Sequence, residues 1–160
     1  MRTLVVYYSL QGNTRSMAEA MAAQLGADLL PLKPLREMPT KGFRKFLWGG
    51  RQVLMKEAPD LQPLAVNPAD YKRLVIGTPV WAGSYAPTLR TYFLEQPVSD
   101  KSVALFCCHG GGKGRVFQRM RDMLAANEVV GEIDFVEPIR KGLEAAQQRA
   151  REWAKGLWPA

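Results

Sequence analysis

A chain of 160 residues, 47% hydrophobic and 23% charged, is long enough to bury one sizeable core and too evenly composed to be a disordered or low-complexity segment. Its apolar runs fall far short of the ~20 residues of a membrane span, and no small-residue cleavage site follows the run after Arg2, so no membrane span is expected and a cytoplasmic location is the default. The net charge of +7 is the unusual bulk property; it predicts either a solvated basic face or attraction to an acidic partner, a membrane surface or nucleic acid.

Residues 3–8 (TLVVYY) form a short apolar run that stops at Ser9 and predicts a buried strand. Met17, Met21 and Leu25 are spaced to share one face of a helix over 13–25. Residues 27–32 (ADLLPL) predict a weaker second strand. Phe43, Phe46, Leu47, Gly50 and Leu54 then predict an amphipathic helix over 41–56, weakened at Gly49-Gly50. Much of the positive charge sits nearby: Lys33, Arg36, Lys41, Arg44, Lys45, Arg51 and Lys56 face one acid, Glu37. Leu74 to Gly77 mark a third strand, and Leu89, Tyr92 and Phe93 a short helix started by Pro87. Val103 to Cys107 form a fourth strand, and Val116, Met120, Met123 and Leu124 the helix after it. Ile133 to Val136 lie in a fifth strand. Leu143, Ala146, Ala150, Trp153 and Leu157 repeat every three or four residues and mark the last helix.

Five strands alternating with five helices predict a parallel sheet covered on both faces. The loops 9–14, 78–86 and 108–114 follow strands one, three and four and are rich in Gly, Ser, Thr or aromatic residues. Ligands of open α/β sheets bind at that carboxyl edge where the strand order reverses, so the three loops are expected to converge on one site.

The first loop, Ser9-Leu10-Gln11-Gly12-Asn13-Thr14, combines two hydroxyls, two amides and a glycine at the start of a helix. Free backbone N–H groups and the helix dipole favour an anion there, and with no Lys in the loop neutral dipoles would hold it. An ordinary N-capped turn is the plain alternative. Two other nucleotide loops fail on spacing. The Walker pattern breaks at Gly112-Lys113, where Gly114 stands for Ser/Thr and Cys107 for the first Gly. G-x-G-x-x-G has only Gly12 after the first strand. Cys107 and Cys108 are adjacent, which disfavours a disulfide between them, and they form no zinc pattern. His109 is the only histidine, so any Ser-His or Cys-His chemistry would have to use it.

Together with GTPVWAGSYAPTLRTYF (77–93) and LFCCHGGGKG (105–114), Ser-Leu-Gln-Gly-Asn-Thr resembles the flavin-binding loops of the flavodoxin family. The resemblance covers essentially the whole chain. It implies one flavodoxin-like domain over 1–160: a doubly wound five-stranded parallel sheet of order 2-1-3-4-5 with helices on both faces, in the short-chain form. It also implies non-covalent FMN. The phosphate would lie on Ser9, Leu10, Gln11, Gly12, Asn13 and Thr14, with Gln11 departing from the family's usual Thr. The ring would lie against Thr78, Pro79, Val80, Trp81, Ala82, Gly83 and Tyr85 on one side and Cys108, His109, Gly110, Gly111 and Gly112 on the other.

Trp81 is the first candidate to stack on the flavin and Tyr85 the second, the other reading of Tyr85 being core beneath the loop. Gly83 would let a peptide turn toward flavin N5. The cysteines read as small buried hydrophobes or as part of the ring wall, and His109 as a hydrogen-bond donor to the ring or to a reduced acceptor. The resemblance implies an electron carrier between partner proteins, the basic stretch suiting an acidic one, or alternatively an NAD(P)H-dependent quinone or flavin reductase acting on a small-molecule acceptor. No tetrapyrrole signal supports a protoporphyrinogen oxidase. Phe43, Phe46 and Trp48 fall on an apolar stripe and no reader motif is present, so nucleic acid is not expected. A basic carrier should hold a less negative second potential than acidic ones, by up to about 70 mV for one unscreened charge ~10 Å away.

Overall fold

The structure, a computed structural model, describes residues 1–36 and 58–160. In chain order these form β1 (Thr3–Tyr7), α1 (Asn13–Leu25), β2 (Asp28–Pro31), β3 (Arg73–Trp81), β4 (Ser84–Tyr85), α2 (Pro87–Glu95), β5 (Ser102–His109), α3 (Val116–Met123), β6 (Glu128–Val136) and α4 (Pro138–Leu157). The helix expected over 41–56, and the basic stretch apart from Lys33 and Arg36, lie outside the described residues.

Hydrogen bonding orders the strands β2-β1-β3-β5-β6, every neighbouring pair parallel. Counted as the five expected strands, this is the order 2-1-3-4-5. The chain starts near the middle of the sheet, steps out to β2, and returns across β1 to β3, so the order reverses between β1 and β3.

Both faces of the sheet are buried, as continuous apolar strands require. Leu4 and Val6 join Leu74, Ile76, Val103 and Leu105 on one face, under Leu89, Tyr92 and Phe93 of α2 and Val116 and Met120 of α3. Val5 and Tyr7 join Val75, Ala104 and Phe106 on the other, under Met17, Ala18 and Met21 of α1 and Ala150 and Ala154 of α4. Each large side chain fully buried here contributes about 1.5–3 kcal/mol before the entropy of ordering it is charged against it. No helix among the described residues is long and apolar enough to cross a membrane.

Two segments differ from the expected pattern. β3 does not end at Gly77 but runs on to Trp81, then doubles back as β4, a sixth strand, with Val80 opposite Tyr85 and Trp81 opposite Ser84. Two residues, Ala82 (φ 50°) and Gly83 (φ 71°), close this hairpin, both left-handed as a type I′ turn demands. An L-residue other than Asn or Asp is strained there. Replacing exposed Ala82 by asparagine should therefore stabilise the protein by about 0.5–1 kcal/mol, read as a melting temperature raised by roughly 1–4 °C. An unchanged or lowered melting point would refute the strain. The second difference is in α4, which begins at Pro138, earlier than its apolar repeat, and breaks at Gly142 (φ 143°) before continuing to Leu157.

Candidate functional site

The carboxyl ends of β1, β3 and β5 open into one cleft lined by Ser9, Leu10, Gln11, Asn13, Thr14, Pro79, Val80, Trp81, Cys108, His109, Gly110 and Glu137. Its empty space, counted out to the mouth and into open solvent, is about 680 Å³. It sits where the strand order reverses, the position that open α/β sheets give to ligands.

The first wall is built by the turn from β1 into α1. Gly12, at φ 98°, is the residue before the helix, and its own side offers no cap. The cap comes from Ser9, whose Oγ accepts hydrogen bonds from the N–H of Gly12 (3.2 Å) and of Arg15 (3.1 Å). The first intrahelical bond runs from Ser16 N to Gly12 O (2.9 Å). The N–H groups of Asn13 and Thr14 precede it and have no acceptor within the helix. No acid lies in the first turn of α1 to compensate its dipole. Arg15 faces outward and pairs with Glu19 at 2.7 Å. Asn13 Oδ1 accepts from Ile139 N (3.0 Å), which fastens this wall to the start of α4 and commits the carbonyl side of its amide.

The second wall carries the aromatic ring. Trp81 meets Tyr8 edge-on, centroids 5.8 Å apart at 88°, so the indole is braced from the side. Thr78 is wholly buried; its hydroxyl accepts from Ala86 N (3.0 Å) and donates to Pro79 O (2.8 Å), holding the hairpin's base. Tyr85 packs edge-on against Phe93 at 5.4 Å within the core, the second of its two expected places. Gly83 O accepts from Arg115 N (3.0 Å), so this carbonyl is tied to the entrance of α3.

The third wall begins inside β5, since Cys108 and His109 belong to the strand. Burial pushes the Cys108 thiol up to about 12 and that of Cys107 higher still, so both remain thiols at neutral pH. In the structure both imidazole nitrogens of His109, expected as a hydrogen-bond donor to a ring or a reduced acceptor, are engaged within the protein. Nδ1 accepts from Gly112 N (3.0 Å) and Nε2 lies 2.8 Å from Asp134 Oδ2. One form satisfies both contacts, the neutral ring with its proton on Nε2. The His109 hydrogen bond, helped by Lys113 and Arg149, holds the Asp134 carboxyl below the usual carboxylate range against the burial that would raise it.

Of the residues expected at the site, Gly12, Thr78, Ala82, Gly83, Tyr85, Gly111 and Gly112 stand behind or beside the cleft rather than on its walls, while the other eleven line it. Glu137 is an unforeseen member. It follows β6, so the sheet-edge rule, applied to the fifth strand as well, points to it. Its N–H donates to His109 O (3.0 Å), its φ is 40°, and its carboxylate bonds Arg140 (2.5 Å), which holds its pKa down. Asp134 was also missed; an acid between Ile133 and Phe135, both buried, opposite Cys107 in register, was its signal. No group of three or more potential metal ligands is found among the described residues.

A family model described as Flavodoxin matches residues 2–133. Among solved structures, the chain is similar to a flavoprotein from Lactobacillus acidophilus in complex with FMN: 23% identity, 88% of this chain and 97% of that one, TM-score 0.73. It is similar also to a flavoprotein from Bacteroides uniformis, at 17% identity over 96% of this chain and 97% of the other, TM-score 0.77. A flavone reductase aligns at 15% identity over 98% of this chain and 62% of its own, TM-score 0.61.

Proposed function

The chain belongs to the flavodoxin family, and from that premise we propose that it is an electron carrier, one domain over 1–160 working in the cytoplasm, that shuttles electrons between partner proteins on FMN. FMN is a flat ring system joined by a polyol to a phosphate dianion, and it supplies the redox chemistry when bound. The cleft fits it at both ends. The observation that carries the reading is the neutral first turn of α1: Ser9, Gln11, Asn13 and Thr14 converge with uncapped N–H groups on a helix start free of acids, which suits a phosphate. At the other end Trp81, half-buried and braced by Tyr8, offers an aromatic face, with Pro79, Val80 and Cys108 closing the apolar part.

The protein's residues bind, orient and tune; none of them is asked to make or break a covalent bond. The positive balance of the chain supports an acidic redox partner and a less negative second potential.

One observation supports a second reading, reduction of a small acceptor by NAD(P)H. The loop Gly110-Gly111-Gly112 carries no side chain to cover the outer ring face and is exposed. The purified protein is expected to be yellow and, mixed with NADPH under nitrogen, to keep its oxidised spectrum over minutes while dithionite bleaches it. Bleaching by NADPH within seconds would replace the carrier with the reductase, and a protein that stays colourless with excess FMN would remove both.

A further inference from the structure

His109 is the one side chain that ties the third wall of the cleft together. Its Nδ1 holds the N–H of Gly112, its Nε2 holds Asp134 on β6, and its backbone carbonyl holds Glu137 at the start of α4. The loop it restrains, Gly110 to Gly112, has no side chains of its own with which to pack. A glycine run loses more chain freedom on ordering than any other sequence, so a single anchored N–H matters more here than in a loop with buried side chains.

The anchor works in one protonation state. The lone pair on Nδ1 exists only in the neutral ring; a proton there sets two N–H donors face to face and the Gly112 bond is lost. Charged groups surround the ring. Asp134 on β6 lies 2.8 Å from Nε2. Lys113, 3.8 Å from Asp134 Oδ1, and Arg149 of α4, donating to the Asp134 carbonyl at 2.8 Å, partly offset that carboxylate. Glu137, whose side chain lies beside Gly110, adds negative charge from the α4 side. Cys107 and Cys108 stay neutral and contribute none.

We infer that His109 is a positioning residue for the cofactor, a proton-operated latch that holds the Gly110–Gly112 loop, and with it Gly110 on the wall of the FMN cleft, when neutral and releases it when protonated. It acts through the loop it holds, with no ring nitrogen left to touch the flavin. The inference rests on the FMN reading of the cleft, though the latch itself belongs to the protein alone.

FMN titration of the apoprotein, followed by quenching of flavin fluorescence at about pH 8 and about pH 5.5, tests it in wild type, His109→Asn and His109→Ala. In His109→Asn the side-chain carbonyl sits where Nδ1 does and accepts the Gly112 N–H at every pH. The phosphate of FMN also titrates near pH 6 but affects all three proteins alike. Wild type should lose about threefold to tenfold more affinity on acidification than His109→Asn, and His109→Ala should be the weakest at both pH values. Parallel losses in wild type and His109→Asn would overturn the latch. Because His109 is the only histidine, its ¹⁵N signals in the apoprotein need no assignment. The expected result is the Nε2–H tautomer with the Gly112 amide shifting as the ring titrates; an Nδ1–H tautomer or a Gly112 amide indifferent to that titration would refute it. If no FMN binds at any pH, the cofactor reading fails, and these spectra alone decide the latch.

Discussion

Gly12→Val should weaken FMN binding by about a hundredfold while the protein stays folded. The residue sits at φ 98°, where a β-branched side chain is a steric outlier. A Cβ there would stand 3.3 Å from Ile139 Cδ1, and the two methyls beyond it would press on the first turn of α4. That turn holds Asn13 through the Ile139 N–H, so the phosphate wall is displaced from both sides. Backbone strain of about 1–2 kcal/mol and the lost approach to the N–H groups together reach the roughly 2.7 kcal/mol that a hundredfold requires. Gly26→Val supplies the control. It has a similar left-handed backbone (φ 60°) at the far end of the same helix, with nothing within 4 Å of an added Cβ. It should lower the melting point and leave FMN affinity unchanged. Equal affinities in the two variants would show that the first turn of α1 is not where the phosphate lies.

Gly77→Ala should cost the fold about 3 kcal/mol, the upper part of the range for overpacking a dense core, and lower the melting temperature by roughly 6–12 °C. An added Cβ would fall 2.0 to 2.5 Å from three atoms of the Phe106 ring. Phe106 stands directly opposite Gly77 on β5 and is wholly buried among the residues beneath α1 and α4. It has nowhere to move, because packed interiors hold few voids larger than a water. The same change would disturb Thr78, whose hydroxyl braces the hairpin beside Trp81. Adding Phe106→Leu should restore part of the loss, since the two positions share one space and cannot act additively. A single variant melting within 2 °C of wild type would deny the contact.

The architecture was readable in advance because the buried strands are short, continuous and apolar, and each is bounded by turn chemistry. TLVVY, RLVIG and SVALFC carry their position in the sheet in their composition: only a strand covered on both faces tolerates no polar alternation. The loop 9–14 was readable for a similar local reason, since hydroxyl, amide and glycine at a helix start have few physical uses. Where the chain's ends of elements fall was less legible. Nothing local says that β3 should run past Gly77, because its last residues, Thr78-Pro79-Val80-Trp81, lack the uniform apolar pattern; pairing with β4 and β5 keeps them extended.

Local chemistry was thus enough to specify a parallel sheet covered on both faces by helices and an anion-suited turn at its open edge, because strand burial, helix periodicity and helix-start donors are properties of neighbours in sequence, while the doubly wound strand order rested on the resemblance to the flavodoxin family. The partners across that edge were decided by folding. His109 meets Asp134 from 25 residues away, Asn13 meets Ile139 from 126, and Gly77 lies under Phe106 only because β3 and β5 pair in that register. Those contacts set which nitrogen carries a proton and which glycine has no room for a methyl. They depend on distances between elements, and such distances exist only once the sheet has closed around its core.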